Sequence, residues 1–334
     1  MMTIQEFKKL AVAKLSQSSP SPQLDTDVLL QHTLNCSRTF LLMHRDCPLE
    51  QQKLGWLFEA LEKRSTGLPI AYITGIKEFF GMEFHVTTDV LIPKPDTELL
   101  VEHAIAEACT KLKTENAGNT ESPYKIADVC TGSGCIIISA VNGILNSLKD
   151  SGNASAVGNS LLCAGTLAEK IEQGRILLEA MASDISSKAL KIAEKNAENL
   201  VDKNSPVKID FFEGDLMKAF PEKTVFDLIL SNPPYIPSKM VDELLKDGRK
   251  EPRIALDGDI DENSSSKSSD GLAIIRKLIP QAFAKLKNGG LFLVETGEYN
   301  AEETARLMKN AGFTQVQTFT DLEGQLRLTQ GRKP

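Results

Sequence analysis

An asparagine followed by two prolines and a tyrosine, at positions 232–235, is the part of the chain best suited to chemistry. The apolar segment 226–231 predicts a buried strand, so the prolines place a rigid turn where that strand ends. Proline donates no N–H, which leaves the carbonyl of Pro233 available to a ligand, and Asn232 adds a second carbonyl acceptor. Tyr235 adds an aromatic face. Two acceptors beside a ring suit a planar NH2 group, either a carboxamide or the exocyclic amine of a base, although a plain proline-rich turn is the alternative.

A glycine-rich turn is the second candidate site. Segment 126–130 predicts a strand that runs into Thr131-Gly132-Ser133-Gly134 and then into a helix. Turns of this kind let a ligand approach the backbone closely. Ile137 stands where a dinucleotide fingerprint would have its third glycine, and the chain has no G-K-[ST] phosphate-binding motif. These features disfavour enzymes that use nicotinamide cofactors or nucleoside triphosphates.

Two aspartates follow the next two predicted strands. Asp184 is placed to accept hydrogen bonds from the two hydroxyls of a ribose, unless it caps the helix that starts near Ser186. Asp215 and Leu216 are placed to hold an adenine amino group and ring, unless Asp215 is a solvated turn residue. The carboxyl ends of successive parallel strands meet at one edge of a sheet, where ligands bind in open α/β folds. One nucleoside-like ligand whose reactive end faces Asn232 accounts for these features together, and S-adenosyl-L-methionine meets that description.

Strand-like and helix-like segments alternate from residue 125 onward, which predicts a mostly parallel sheet covered on both faces. The predicted strands are 125–130, 176–183, 208–213, 226–231 and 290–295, and the predicted helices are 135–148, 186–200, 239–246 and 271–287. Two late segments, 315–319 and 325–330, are expected to form an antiparallel edge.

Composition divides the chain into three expected parts. Residues 1–75 are predicted to form a helical domain, 76–92 a β-hairpin linker, and 93–334 the domain that contains the sheet. Segments 149–174 and 259–270 are rich in small or acidic polar residues and predict surface loops.

Charge and cysteine usage argue against several classes of protein. The chain has 334 residues and a net charge of −7, so stable binding to nucleic acid is not expected. Its six cysteines form no C-x-x-C pair and only four histidines are present, so no metal site is expected. No signal peptide and no apolar segment of membrane-spanning length is recognised, which favours a cytoplasmic protein without membrane contact.

The chain resembles the PrmC/HemK family of protein-(glutamine-N5) methyltransferases, which act on class-1 peptide chain release factors. The resemblance covers nearly the whole chain, and its combination of segments is more specific than the 232–235 motif, which enzymes that methylate amines of DNA and RNA share. The matching segments are Gly67–Gly75, Leu91–Val101, Asp128–Gly134, Asp184, Asn232–Tyr235, Glu251–Leu256 and Gly290–Gly297.

This resemblance implies a fold, a reaction and a set of site residues. The fold would be that of class-I SAM-dependent methyltransferases, a Rossmann-like seven-stranded and mostly parallel sheet, with a small N-terminal helical substrate-recognition domain and a linking β-hairpin. S-adenosyl-L-methionine would methylate the side-chain amide nitrogen of the glutamine in the release factor's Gly-Gly-Gln motif, with S-adenosyl-L-homocysteine as product. The implied cofactor-binding residues are Asp128, Cys130, Thr131, Gly132, Ser133, Gly134, Asp184, Asp215, Leu216 and Asn232. Asn232, Pro233 and Tyr235 would act in catalysis, and Asn232, Pro233, Pro234, Tyr235, Leu91 and Lys94 would bind the substrate.

Three features depart from the family pattern. Lys94 stands where arginine is frequent, which keeps the charge but loses the bidentate fork. Cys130 stands where glycine is usual, and segment 149–174 is longer than expected. The alternative function is methylation of an exocyclic amine of DNA or RNA, because the same acceptor pair suits that group.

Overall fold

The computed structural model describes residues 1–115, 122–153, 178–205, 207–260 and 269–334, which form two compact units. The first unit contains Met1–Ile76, Val86–Thr88 and Asp242–Glu251, and the second contains Lys77–His85, Asp89–Val241 and Pro252–Pro334. Most of the two predicted loops, 154–174 and 261–268, lies outside the described residues, as does Cys163. The division into domains 1–75, 76–92 and 93–334 stays a prediction.

Helices build the first unit, as the sequence predicts. They are α1 (Ile4–Leu15), α2 (Pro22–Leu34), α3 (Arg38–Met43), α4 (Gln51–Ser65) and α5 (Ile70–Thr74). α1 begins with a capping box, in which the Thr3 hydroxyl accepts from the Glu6 N–H and the Glu6 carboxylate accepts from the Thr3 N–H.

The core of the first unit lies between α1, α2 and α4, where Phe7, Leu30 and Leu57 are fully buried. An ion pair accompanies this apolar core. Arg64 Nε donates to Asp25 Oδ2 at 2.6 Å, and both side chains are only 11% exposed. The pair therefore ties α4 to α2 in surroundings where an unpaired charge would be costly.

A hairpin and a large sheet belong to the rest of the chain. The hairpin strands are β1 (Ile76–Phe79) and β2 (Met82–His85). The sheet strands are β3 (Tyr124–Val129), β4 (Leu178–Asp184), β5 (Ile209–Glu213), β6 (Phe226–Ser231), β7 (Leu286–Glu295), β8 (Thr314–Thr320) and β9 (Leu326–Arg332). The helices are α6 (Glu98–Glu115), α7 (Cys135–Asn153), α8 (Ser187–Leu200), α9 (Ser238–Leu244), α10 (Ala273–Lys285) and α11 (Glu298–Asn310). Short 3₁₀ turns occupy Pro95–Thr97, Leu216–Ala219, Leu245–Asp247 and Arg253–Ala255.

The seven strands lie in the order β5-β4-β3-β6-β7-β9-β8. The pairs from β5 to β7 are parallel, whereas β9 pairs antiparallel with both β7 and β8. This arrangement confirms the predicted seven-stranded, mostly parallel sheet and its antiparallel edge. The chain crosses from β3 to β4 on one side and later returns to β6 on the other side. Ligands bind in doubly wound sheets at such a reversal of strand order, outside the carboxyl ends of the strands.

Helices cover both faces of the sheet. On one face α6 and α7 contribute Leu100, Ile137 and Ile144 to the core. On the other face α10 and α11 contribute Ile275 and Met308. Because both faces are buried, the central strands are almost continuously apolar, which is why the sequence identifies them well.

Two predicted boundaries are wrong. The helix predicted over 135–148 continues to Asn153, so residues 149–153 of the predicted loop 149–174 are helical. The helix predicted over 271–287 ends at Lys285, and β7 begins at Leu286 rather than at residue 290. Leu286 is already extended and pairs with Phe226 of β6, and it is 1% exposed. The sequence pattern at Leu286 is also compatible with a helix. Its pairing with β6 is therefore what makes this residue extended.

Candidate active site at the carboxyl ends of the strands

A cavity of about 300 Å³ opens in the second unit at the carboxyl ends of β3, β4 and β6. Its lining brings together most of the predicted site residues, namely Leu91, Lys94, Cys130, Thr131, Gly132, Ser133, Asp184, Asp215, Leu216, Asn232 and Pro234. Gly134, Pro233 and Tyr235 are chain neighbours of lining residues but do not line the cavity themselves, and Asp128 lies two residues before the lining residue Cys130. The volume lies at the lower end of the range found for small-molecule sites.

The glycine-rich turn after β3 requires left-handed backbone conformations. The φ angles are 62° at Cys130, 56° at Gly132 and 79° at Gly134. A Cβ at Gly132 would meet nothing within 4 Å, so this glycine serves the backbone conformation and leaves open space beside the turn. A Cβ at Gly134 would come within 3.1 Å of the Ala193 side chain, so this glycine serves the packing of the turn against α8. Cys130 also adopts the left-handed conformation, and a residue with a Cβ is strained there.

Two buried side chains make hydrogen bonds to this turn. Asp128 accepts a hydrogen bond from the Thr131 hydroxyl at 2.6 Å and is fully buried. Asn196 on α8 donates through Nδ2 to the carbonyl of Ser133 at 2.9 Å and to that of His85 at 3.0 Å. Its Oδ1 accepts from the His85 N–H, so one amide joins the hairpin to the turn. Asp128 thus shapes the turn, while its predicted contact with a cofactor stays a prediction.

Asp184 at the end of β4 bonds to the same turn. Its Oδ2 accepts from the N–H of Gly132 at 2.9 Å, and its Oδ1 accepts from the N–H of Ser186 at 2.9 Å. The helix cap of α8 is Ser186, whose hydroxyl accepts from the N–H of Ala189, so the alternative assignment of Asp184 as a cap is wrong. Burial raises the pKa of Asp184, whereas the backbone N–H groups oppose that rise.

Asp215 lines the same cavity and follows β5, the strand beside β4. Its carboxylate pairs with the ammonium group of Lys277 at 2.8 Å, and its side chain is 35% exposed. Asp215 is therefore neither a freely solvated turn residue nor an unpaired acceptor. Leu216 beside it is buried and adopts a left-handed conformation with φ 53°. Together with Ile185, it gives this part of the cavity an apolar wall.

Asn232 presents one end of its amide to the protein. Its Nδ2 donates to the hydroxyl of Thr97 at 3.1 Å, across a sequence separation of 135 residues. No other hydrogen bond of this amide occurs among the described residues, and Asn232 lines the cavity. Oδ1 is therefore the atom of this side chain that can accept from a ligand.

Tyr235 anchors the end of the proline turn. Its hydroxyl donates to Glu295 Oε1 at 3.2 Å, and its carbonyl oxygen accepts from Asn300 Nδ2 at 3.0 Å. A Cβ on Gly271 would collide with that carbonyl oxygen, so glycine is required where this segment passes the turn. These contacts fix the backbone that follows the two prolines.

Burial controls the acidity of two groups behind the turn. It raises the pKa of Glu295, at the end of β7, to about 7. It also raises the pKa of Tyr235, whose hydroxyl faces the Glu295 carboxyl. Arg327 opposes both shifts, because its positive charge favours the ionised forms.

The sequence did not identify several members of this site. Thr97 and Glu295 belong to segments that matched the family pattern, yet neither was assigned a role. Lys277 lies in the middle of α10, and Asn196 lies within α8, where nothing in the local pattern marks them. Glu295 did carry a signal, since it ends an apolar strand in the same way as Asp184.

The described parts of the chain contain neither a metal-binding cluster nor a membrane-spanning helix. No group of three or more histidine, cysteine, aspartate or glutamate side chains there is arranged to hold a metal ion. No helix in those ranges is long and apolar enough to cross a bilayer.

Two family models and several full-length proteins match this chain in sequence. The family model for the PrmC N-terminal domain matches residues 6–75, and the one for the methyltransferase small domain matches residues 144–249. A release factor glutamine methyltransferase from Koribacter versatilis (strain Ellin345) is 32% identical over 335 residues, covering 100% of this chain and 99% of that protein. One from Coxiella burnetii (strain RSA 493 / Nine Mile phase I) is 33% identical, covering 100% of both proteins.

The solved structure of a methyltransferase from Pyrococcus furiosus is a more distant match. It is 14% identical with a TM-score of 0.40, covering 85% of this chain and 99% of that one, which adds nothing to the assignment. The methyltransferase small domain model and the full-length relatives together define the class as a methyltransferase. At more than 30% identity over their full length, the relatives are more specific, and the chain belongs to the release factor glutamine methyltransferase family.

Proposed function

We propose that this protein transfers the methyl group of S-adenosyl-L-methionine to the N5 amide nitrogen of the glutamine in the Gly-Gly-Gln motif of class-1 peptide chain release factors. The observation that carries the proposal is the position of Asn232, which lines the cavity with its Nδ2 committed to Thr97. Oδ1 is then available to accept a hydrogen from a carboxamide. Family membership supplies the identity of the substrate.

The residues around the cavity suit an adenosyl group. Asp184 ends β4 with both carboxylate oxygens already on backbone N–H groups, and its remaining lone pairs suit the two ribose hydroxyls. Ile185 and Leu216 offer apolar surface to an adenine ring, and Asp215 offers an acceptor to its amino group. The space beside Gly132 allows close approach to the backbone. When bound, S-adenosylmethionine supplies a methyl group activated by attachment to a positively charged sulfur.

An amide nitrogen needs help to react, because its lone pair is delocalised into the carbonyl. Asn232 Oδ1 and the carbonyl of Pro233 are proposed to accept the two amide hydrogens, which aims the nitrogen and favours the positive charge that develops on it. Transfer would form the nitrogen–carbon bond as the sulfur–carbon bond breaks, with S-adenosyl-L-homocysteine as the leaving group, and the nitrogen would lose one of its protons after transfer. Tyr235 is proposed to pack against the planar amide, and Pro234, Leu91 and Lys94 to contact the substrate. Positioning of this kind is worth on the order of 7–11 kcal/mol of the barrier in favourable cases.

The helical part, residues 1–75, is proposed to recognise the release factor. Because its substrate is a translation factor, the enzyme is proposed to act in the cytoplasm. Methylation of an exocyclic amine in DNA or RNA is the less favoured function, since the relatives that match the full length are release factor enzymes.

The test is methyl transfer from labelled S-adenosylmethionine to a purified class-1 release factor, followed by mass mapping of the product. The matched control is the same factor with its Gly-Gly-Gln motif changed to Gly-Gly-Ala. Label on the glutamine of the first protein and none on the second is the expected result. No label on either, with cofactor binding intact, would reject the proposal. Salt-sensitive oligonucleotide binding would then favour a nucleic-acid substrate.

A further inference from the structure

An ion pair lines the cavity after β5, and the proposed transfer gives a role to only one of its two partners. The ammonium nitrogen of Lys277, on α10, lies 2.8 Å from Asp215 Oδ2, and both residues line the cavity. The Lys277 side chain is 23% exposed and that of Asp215 is 35% exposed, so the pair is only partly open to water. Lys277 is therefore placed to control how the carboxylate faces a ligand.

The backbone on both sides of Asp215 is held by the end of β4. The N–H of Gly214 donates to the carbonyl of Asp184 at 3.0 Å, and the hydroxyl of Ser183 donates to the carbonyl of Leu216 at 3.3 Å. With the backbone fixed in this way, the main freedom left to Asp215 is rotation of its side chain.

Lys277 restricts that rotation. Its positive charge binds Oδ2, and no other hydrogen bond or ion pair of this carboxylate occurs in the described parts of the chain. Oδ1 is then the carboxylate oxygen that can accept from a ligand in the cavity. A binding group that is held by a second side chain keeps its geometry better than one that rotates freely.

We propose that Lys277 is a positioning residue that makes the cofactor site selective for a 6-aminopurine. With Oδ2 bound to the ammonium group, Asp215 presents Oδ1 to the amino group of adenine. This inference rests on the proposed function, in which Asp215 accepts a hydrogen from that amino group.

A 6-oxopurine has the opposite hydrogen-bonding character at the same position. Adenine carries an amino donor there, whereas hypoxanthine carries a carbonyl acceptor. A carboxylate has no hydrogen to donate, so a carbonyl oxygen that faces Oδ1 is repelled and left without a partner. Sites that leave polar groups unpaired in this way reject the wrong ligand strongly. Without Lys277 the carboxylate can turn away toward water, and this penalty falls.

The experiment compares the dissociation constants of S-adenosyl-L-homocysteine and S-inosyl-L-homocysteine, measured by isothermal titration without a release factor. The wild type is expected to prefer the adenosyl compound by about 100-fold. Lys277→Met is expected to lower this preference about 10-fold, because the carboxylate is no longer held. Lys277→Arg keeps a cation that can bind Oδ2, and its preference is expected to stay within about threefold of the wild type.

Asp215→Asn tests the other partner of the pair. An amide can turn its NH2 group toward a carbonyl oxygen or its oxygen toward an amine. This variant is therefore expected to bind the adenosyl compound nearly as well as the wild type and to lose most of the preference over the inosyl compound.

Lys287→Met is the matched control. Lys287 pairs with Asp227 at 2.7 Å and does not line the cavity, so the same loss of positive charge is expected to leave the preference unchanged. The readout is a ratio of two affinities in one protein, so a partial loss of folded protein cancels from it. A wild-type preference in Lys277→Met, or an equal fall in Lys287→Met, would overturn the inference.

The same titrations separate this inference from the proposed reaction. Equal binding of the two compounds by the wild type would reject the contact between Asp215 and adenine, and with it the role of Lys277. A wild type that selects the adenosyl compound but does not methylate a release factor would instead reject the proposed reaction alone, since the affinities are measured without that substrate.

Discussion

The carboxylate of Asp184 accepts a hydrogen bond from the backbone N–H of Gly132 at 2.9 Å, so the end of β4 is joined directly to the turn that follows β3. Its second oxygen accepts from the N–H of Ser186. The residue predicted to hold a ribose therefore also sets the shape of the backbone beside which that ribose would lie. A substitution of Asp184 therefore changes both the shape of this turn and the predicted contact with the ribose.

Asp184→Asn is expected to weaken S-adenosylmethionine binding about 10- to 100-fold, because the amide nitrogen cannot accept from a backbone N–H. One of the two bonds to Gly132 and Ser186 must be lost. Isothermal titration with the cofactor measures the effect. Asp215→Asn is the matched control in the same cavity, and its effect is expected to be smaller because that side chain is paired with Lys277 and 35% exposed. Equal affinities for the wild type and Asp184→Asn would contradict this account.

Cys130 provides a test of backbone strain. With φ at 62°, a left-handed conformation costs a residue with a Cβ about 1–2 kcal/mol. Cys130→Gly is expected to keep or raise the stability of the fold, because relief of strain offsets the greater freedom of glycine in the unfolded chain. Cys130→Val is expected to lower it by on the order of 1–3 kcal/mol, since a branched side chain is least compatible with this conformation. Urea unfolding of the three proteins gives the order, and a valine variant as stable as the glycine variant would refute it.

The sequence predicts the parts of the site that directly follow buried strands. Asp184 and Asn232 each come after a run of apolar residues, and the carboxyl ends of parallel strands must meet at one edge of the sheet. The turn after β3 can likewise be predicted, because the spacing of its glycines in the sequence is sufficient evidence for it. Structure adds the reason for that spacing, which is the sign of φ at Gly132 and Gly134.

Contacts between distant segments could not be predicted in the same way. Thr97 meets Asn232 across 135 residues, and Glu295 meets Tyr235 across 60. The second pair exists because β7 lies beside β6 in the sheet, and the first because the turn before α6 lies at the end of β6. The chain order alone specifies neither neighbourhood. Asn196 was hidden for a related reason, since a polar residue on an amphipathic helix is usually solvent-exposed, whereas this one is 1% exposed.

Asn232→Ala is expected to lower kcat for methyl transfer by about 10²-fold or more, because a hydrogen-bond acceptor used in the transition state is removed. Cofactor affinity is expected to stay within a few fold, since the side chain's bond within the protein goes to Thr97 and not to the glycine-rich turn. Single-turnover transfer and cofactor titration separate the two effects. A kcat within a few fold of the wild type would rule out the proposed role of this amide.

The ion pair between Asp25 and Arg64 is expected to matter for the stability of the first unit. Asp25→Asn leaves the guanidinium without its carboxylate, at a site where both side chains are only 11% exposed. Removal of one partner is expected to cost about 2–4 kcal/mol in the free energy of unfolding. The double variant Asp25→Asn/Arg64→Met removes both charges and is the control, expected to be more stable than Asp25→Asn alone. Urea unfolding of the full chain decides, and a double variant less stable than Asp25→Asn would show that the unpaired charge is not the cause.

The raised pKa of Asp128 predicts how the free energy of unfolding changes with pH. Burial raises its pKa in the folded protein from 3.8 to about 7. Between these values the folded state holds a proton that the unfolded state has released, so stability falls as the pH rises through this window. The contribution is fully present below the lower value and is lost as the pH passes the upper one. Glu295, with a pKa of about 7, contributes with the same sign.

Asp128→Asn is therefore expected to flatten the decline in Tm between pH 5 and pH 7.5, because the amide does not titrate but still accepts from the Thr131 hydroxyl. The slope lost corresponds to roughly 1.4 kcal/mol per pH unit for one group. Glu295→Gln is expected to remove a similar part, and the double variant to have the flattest profile of the four proteins. Thermal melts at half-unit pH steps give the slopes. If Asp128→Asn kept the slope of the wild type, this carboxyl group would have to be ionised throughout the window, and its burial could not be governing its acidity.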